Sequence, residues 1–400
     1  MNSLPPTIQV RLHSPAQAFA LLLSTGYGDG RRKISSFVFL RSTSRAIAIG
    51  KNLLAFIGVA VCLAAHYQLA VPQRFFGRSA ATQSISKTAG GRTAIFDEVA
   101  EAVGLRFRHY NGMKGKLLLP EIMGSGAALF DFDNDGDLDV YLVQGAVLEP
   151  GDRPSATRFP WREPLAPRGR LFRNDLTMSK NGTTLRFTDV TEQSGISGLG
   201  YGMGVTTGDV NNDGWPDLYL CNLGANPLYL NNGNGTFTDV TGKAGADDPR
   251  WSTSAAFVDY NRDGWLDLMV INYADFTVAA SPTCYADTTA RDYCGPRSFR
   301  PVGNRLLRNK GDGSFEDVTE AAGVAREFGH GLGVITADFD DDGWLDIYVA
   351  NDGDPNQLWI NQKNGAFKNE ALLAGAALNR DGVAEAGMGV AAGDFNGDGT

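Results

Sequence analysis

A nine-residue acidic pattern recurs along this chain, with oxygen-bearing side chains at fixed places. Complete copies occupy residues 131–139 (DFDNDGDLD), 209–217 (DVNNDGWPD), 259–267 (DYNRDGWLD) and 338–346 (DFDDDGWLD), and a fifth begins at 394 (DFNGDGT). Counted from the first Asp, a carboxylate or carboxamide stands at positions 1, 3 and 5, Gly at 6 and Asp at 9. The side chains are Asp131, Asp133, Asp135 and Asp139; Asp209, Asn211, Asp213 and Asp217; Asp259, Asn261, Asp263 and Asp267; Asp338, Asp340, Asp342 and Asp346; and Asp394, Asn396 and Asp398. A hard cation such as Ca²⁺ takes six to eight oxygens at about 2.3–2.6 Å in a flexible cage. Alternate oxygen donors on a tightly turning loop converge on one such ion, and glycine at position 6 permits the turn. Position 7 would lend its backbone carbonyl, so Asp137, Trp215, Trp265 and Trp344 are all acceptable there.

An EF-hand opens in the same way, but it needs Glu at position 12 and flanking helices. Here position 12 is Leu142, Leu220, Val270 or Val349. Magnesium fits less well, because it keeps several of its waters. Asp, Asn and Gly also favour plain turns. Turns alone, however, do not require acids in one register, and clustered carboxylates repel one another without a cation. If affinity follows carboxylate count, the first and fourth loops bind more tightly than the second and third. The tryptophans at position 7 read as packing residues before they read as a sugar platform.

The elements that position these loops follow from their flanks. Strand-like runs bracket each copy, such as 127–130 and 140–143 around the first and 333–337 and 347–350 around the fourth. A second unit then follows at 171–190, 228–240, 306–318 and 358–369, where two apolar strands meet at an Asn/Gly-rich turn. That is a hairpin signal. Each period therefore supplies four strands, and four-stranded sheets repeated radially make a β-propeller. The expected fold is all-β, with about four complete blades over 96–400 and the rest of the ring beyond the sequence. Residues 96–99 (FDEV) resemble the ends of the hairpins and are a candidate closing strand. Glycine pairs precede the loops (Gly124/Gly126, Gly202/Gly204, Gly331/Gly333, Gly387/Gly389) and mark close backbone approach between blades. Ser252 and Ser254 take that place in the third copy, so that blade is expected to pack differently.

Charge divides the chain. Residues 1–90 hold ten Lys/Arg against Asp29 alone, a balance of +9, and the remainder holds 26 against 44 acids, a balance of −18. The acidic body argues against nucleic acid, which needs clustered Lys/Arg. Residues 1–45 form an unpatterned basic leader. An apolar run at 53–65, within 46–71, is expected to be a hydrophobic helix, either a signal peptide or an uncleaved anchor that tethers the chain to a membrane. Residues 72–95 read as a flexible linker. Cys284 and Cys294 lie ten positions apart in one insertion, as a disulfide if the chain is exported or as two free thiols; no CxxC spacing points to zinc.

These segments resemble the FG-GAP/VCBS repeats of integrin α-subunit propellers. They are more similar still to the bacterial branch of the cartilage acidic protein family, associated with an ASPIC/UnbV domain. The residues that carry this are 96–107 (FDEVAEAVGLRF), 119–139 (LPEIMGSGAALFDFDNDGDLD) and 292–299 (DYCGPRSF). The resemblance implies a seven-bladed propeller, an extracytoplasmic location and a further C-terminal domain. Two functions remain open. One is a non-catalytic scaffold that binds a protein or glycan, with about one Ca²⁺ per loop. The other is an exported lyase or hydrolase working across the central channel. No catalytic constellation is recognisable; His109 and His330 are the histidines of the propeller portion, and His330 could face the channel.

Overall fold

The computed structural model describes residues 19–20, 97–179, 182–287 and 289–393. The expected hydrophobic helix at 46–71 and the fifth acidic loop lie outside the described residues. Among those described, no helix is long and apolar enough to cross a membrane. The sheets all belong to one compact unit.

Four blades follow one another, each a four-stranded antiparallel sheet in sequence order. The first is built from Ala127–Phe130, Asp139–Leu142, Arg170–Asn174 and Phe187–Asp189, with the two-residue strand Phe19–Ala20 beside it. The second comprises Tyr201–Gly208, Asp217–Leu223, Leu228–Asn231 and Phe237–Asp239. Ser252–Val258, Asp267–Asn272, Arg305–Asn309 and Phe315–Asp317 make the third, and Gly331–Ala337, Asp346–Asn351, Gln357–Asn361 and Phe367–Asn369 the fourth. This is the blade architecture of a β-propeller.

Register shows that the repeats are equivalent. The residue before each loop pairs with the Asp at position 9: Phe130 with Asp139, Gly208 with Asp217, Val258 with Asp267, and Ala337 with Asp346. Each second strand therefore starts on that Asp, one residue earlier than the apolar run alone predicts. It is nearly wholly buried, and in the second and third blades neighbouring blades cover both of its faces. Ala128, Phe130, Tyr141, Leu218 and Leu220 fill one inter-blade core. Tyr219, Leu228, Leu268 and Val270 fill the next, and Met269, Ile271, Ile347 and Val349 the third.

The glycine pairs have a specific cause. Register shifts between Gly202 and Gly204 and between Gly331 and Gly333, and between Ser252 and Ser254 in the third blade, so a bulge residue sits between each pair. That bulge presses on the preceding blade. Gly126 N–H donates to Met203 O at 2.7 Å, and a Cβ on Gly204 would lie 2.3 Å from Thr253 O. No side chain fits at that approach. The third blade does pack differently: buried Ser252 donates to Asn272 Oδ1 at 2.7 Å and accepts from Asn226 Nδ2 at 2.7 Å.

The 2→3 and 4→1 connections leave the opposite end of the blades from the acidic loops. The largest is the insertion between the second and third strands of the third blade. Within it Cys284–Tyr285 pairs with Arg291–Asp292, and a disulfide joins Cys284 to Cys294 with Cα atoms 5.2 Å apart. Cys221 is a buried free thiol in the second strand of the second blade. Residues Asp97–Val99, part of the candidate closing strand, carry no strand.

Candidate functional site

The four complete acidic loops share one hydrogen-bond plan. The first Asp folds the loop over itself. Asp131 Oδ1 accepts from Asp135 N (3.1 Å) and Oδ2 from Gly136 N (2.9 Å). Asp209, Asp259 and Asp338 repeat both bonds at 2.7–3.1 Å. The fold-back needs left-handed backbone at position 4 (Asn134, Asn212, Arg262, Asp341; φ 55–60°) and at the position-6 glycines (φ 85–92°). Position 5 then accepts from the N–H of position 7, as Asp213 does from Trp215 at 2.9 Å.

The ninth-position Asp is a staple. Asp139 accepts from Phe132 N (2.9 Å) and Asn174 N (2.7 Å), joining the loop to the end of the third strand. Asp217 and Asp346 repeat both contacts, and Asp267 accepts from Asn309 N at 2.8 Å. All four are fully buried. Burial, with neighbouring carboxylates adding to it, pushes Asp139, Asp217 and Asp267 up to about 7 and raises Asp346. A carboxylate held charged there at neutral pH calls for a positive charge beside it.

The donor sets fit a hard cation. Carboxylate oxygens of Asp131, Asp133 and Asp139 lie within 4.8 Å of one another, as do those of Asp338, Asp340 and Asp346. Oxygens that share one Ca²⁺ at about 2.3–2.6 Å sit no more than about 5 Å apart. Asp133 Oδ1 is also buried with no hydrogen-bond partner. Burial and the nearby Asp135 and Asp131 raise the Asp133 carboxyl. In the second and third loops Asn211 and Asn261 turn their amide N–H toward Asp213 (2.8 Å) and Asp263 (2.9 Å). Rotation of either amide presents its oxygen to a cation instead. In the fourth loop Lys363 Nζ stands 2.9 Å from Asp342 Oδ2 and holds that carboxyl below its usual value.

The position-7 tryptophans pack. Trp215 lies against Gly233 and Trp265 against Gly311, each at the turn of its own blade's hairpin, and Arg262 stacks 4.6 Å from the Trp344 ring centroid. His330 is buried with both ring nitrogens engaged, Nδ1 2.7 Å from Asp354 Oδ2 and Nε2 3.3 Å from Phe299 O. It braces the start of the fourth blade against the insertion.

Two further residue sets hold the loops, and the acidic pattern does not include them. The Asn that ends each third strand (Asn174, Asn231, Asn309, Asn361) reads in the sequence as part of the Asn/Gly-rich hairpin turn. Asn231 Nδ2 instead reaches Phe132 O in the preceding blade's loop at 2.8 Å, and Asn309 and Asn361 reach Val210 O and Tyr260 O at 2.8 Å. The position-4 residues are the second set. Asn134 Nδ2 donates to Gly214 O and Asn212 Nδ2 to Gly264 O, both at 2.9 Å, linking each loop to the next. Alignment of the copies LFRN, LYLN, LLRN and LWIN carries the first signal; Asn at position 4 in two of four complete loops carries only a weak second one.

Blades of this kind, each carrying an acidic loop between its first two strands, define a repeat β-propeller. The FG-GAP-like repeat family matches residues 209–270, 293–349 and 338–400. The chain carries FG-GAP-like repeats and is related in sequence to cartilage acidic protein 1. It is 44% identical to that protein from Xenopus tropicalis and from Homo sapiens over 57 residues, which cover 14% of this chain and 9% of each relative's length. The first loop lies outside the family matches but repeats their geometry. Among solved structures, an Agrocybe aegerita lectin that recognises non-reducing terminal N-acetylglucosamine aligns at 16% identity and a TM-score of 0.33, over 61% of this chain and 50% of its own. The Photorhabdus luminescens Tc holotoxin pore aligns at 17% identity and a TM-score of 0.27, over 61% of this chain and 9% of its own.

Proposed function

We propose that the chain is an extracytoplasmic binding scaffold whose blades are stiffened by Ca²⁺ in the acidic loops, and that it presents its surface to a protein or glycan. The observation that carries the calcium reading is the loop geometry, with three carboxylate oxygens gathered in each of the first and fourth loops, and in the first an Asp133 carboxylate whose buried Oδ1 has no hydrogen-bond partner. Asp131, Asp133, Asp135 and Asp139 would hold the ion in the first loop, and positions 1, 3, 5 and 9 in the others. Bound there, the cation supplies the positive charge that the buried ninth-position carboxylates lack. The channel-enzyme reading gains no support from His330, whose ring nitrogens already have partners. The basic leader ahead of an apolar run supports export, and 46–71 would anchor the chain if it is not cleaved.

Equilibrium dialysis of the metal-stripped chain against Ca²⁺ tests the cation reading. About one ion per loop is expected, with one lost on Asp131→Asn/Asp133→Asn. No bound calcium would sink it. Retention of the calcium-loaded chain on an array of glycans and matrix proteins tests the scaffold reading, and turnover of an arrayed substrate would count against it.

A further inference from the structure

We infer that adjacent acidic loops are coupled, so that filling one loop raises the cation affinity of the next. This rests on the calcium reading above. The link is a single peptide unit. Asn134, at position 4 of the first loop, donates through Nδ2 to Gly214 O at 2.9 Å. The N–H of that same peptide, on Trp215, donates to Asp213 Oδ1 at 2.9 Å. Asp213 is a candidate ligand of the second loop. The peptide is therefore held at both ends, by the first loop through its carbonyl and by a ligand of the second through its N–H. A peptide that accepts at its carbonyl becomes a better donor at its N–H, so such chains reinforce one another.

The unit repeats at the next junction. Asn212 donates to Gly264 O at 2.9 Å, and Trp265 N–H donates to Asp263 Oδ1 at 2.9 Å. Return contacts close both junctions, from Asn231 Nδ2 to Phe132 O and from Asn309 Nδ2 to Val210 O, each 2.8 Å. Asn134 and Asn212 sit between candidate ligands at positions 3 and 5, in left-handed backbone with φ of 55° and 56°. Whatever fixes the curl of one loop fixes the carboxamide that grips the next. The third junction is built otherwise: Arg262 replaces Asn at position 4 and stacks on Trp344, so the peptide relay stops there. Asn134 and Asn212 are thus positioning residues, acting on ligands of a neighbouring loop without touching its ion.

A double-mutant cycle tests this, with Tb³⁺ as the probe. Trp265→Phe and Trp344→Phe leave Trp215 as the tryptophan at position 7, so emission sensitised through it reads the second loop. Asp131→Asn/Asp133→Asn disables the first loop. Asn134→Gly removes only the carboxamide, since glycine accepts the left-handed backbone without strain. Each change alone should weaken Tb³⁺ binding at the second loop about two- to tenfold, the span of one net hydrogen bond. The two together should weaken it no further than either alone. Tb³⁺ bound at the second loop with affinity unmoved by both changes overturns the coupling and leaves the cation reading intact. No sensitised emission in the parent overturns both.

Discussion

The first and fourth loops carry the same four carboxylates at positions 1, 3, 5 and 9, yet the molecule surrounds them differently. In the first, Asp133 Oδ1 is buried and unpartnered, and position 4 is an Asn that grips the next loop. In the fourth, Lys363 already sits on Asp342, and the loop receives an arginine stacked on its tryptophan in place of a carboxamide. The difference teaches that carboxylate count is an incomplete measure of a cation site. A lysine from the hairpin turn, far away in the pattern, cancels part of the charge that the count credits to the fourth loop. The first loop is therefore expected to bind more tightly than the fourth, and the ranking by count alone no longer makes them equal.

Several measurements sharpen or break that comparison, and pH has the largest expected effect. Asp139, Asp217 and Asp267 titrate near 7 and Asp346 is raised, above the unfolded carboxylate value of about 3.9. A folded pKa above the unfolded one gives stability that is present at low pH and lost as pH rises through the folded value. The metal-free chain should therefore melt lower at pH 8 than at pH 5, and saturating Ca²⁺ should abolish the fall. A metal-free melting curve that is flat across that window would count against the burial of charge at position 9.

Asp139→Ala and Asp346→Ala each strip two N–H groups of their acceptor, all buried but that of Phe339, and each should cost about 3 kcal/mol in denaturant unfolding without metal. Equal costs support the same staple in both loops, whereas a clear inequality breaks the equivalence of their frames. Next come the third-strand asparagines. Asn361 Nδ2 bridges to Tyr260 O in the preceding blade, while Asn174 Nδ2 reaches only Leu138 O of its own loop. Asn361→Ala should cost about 2 kcal/mol and Asn174→Ala about 1 kcal/mol. The smallest effect is that of Lys363→Met. It should tighten calcium at the fourth loop about two- to fivefold, leave the first unchanged, and fade at high salt.

Much of this was legible in the sequence because the signal is repeated. One loop in isolation is a polar turn, but copies in one register fix the spacing of the strands, the hairpins and the candidate ligands. The glycine pairs were legible for the same reason, and Ser252 and Ser254 flagged the one blade that departs from them. What the sequence hides is of two kinds: a repeated residue whose partner the repeat does not name, and a residue outside the repeat. Asn231 and Asn309 look like turn residues because Asn favours turns, and only the next blade's position reveals the carbonyls they reach. Lys363 has no counterpart in the other blades, so no pattern points to it. The insertion is likewise singular: its Cys284–Cys294 pair was open between disulfide and thiols, and the structure joins them.

The central claim is that the acidic loops are cation sites. The direct test strips metal from the chain and follows thermal unfolding while Ca²⁺ or Mg²⁺ is titrated. A ligand that binds only the folded state stabilises it by about 2.7 kcal/mol per site at a hundredfold excess over Kd. A large upward shift with Ca²⁺ and little with Mg²⁺ is the predicted result. A metal-free chain that is already folded, and whose melting temperature calcium leaves unchanged, would show that the loops are turns and nothing more.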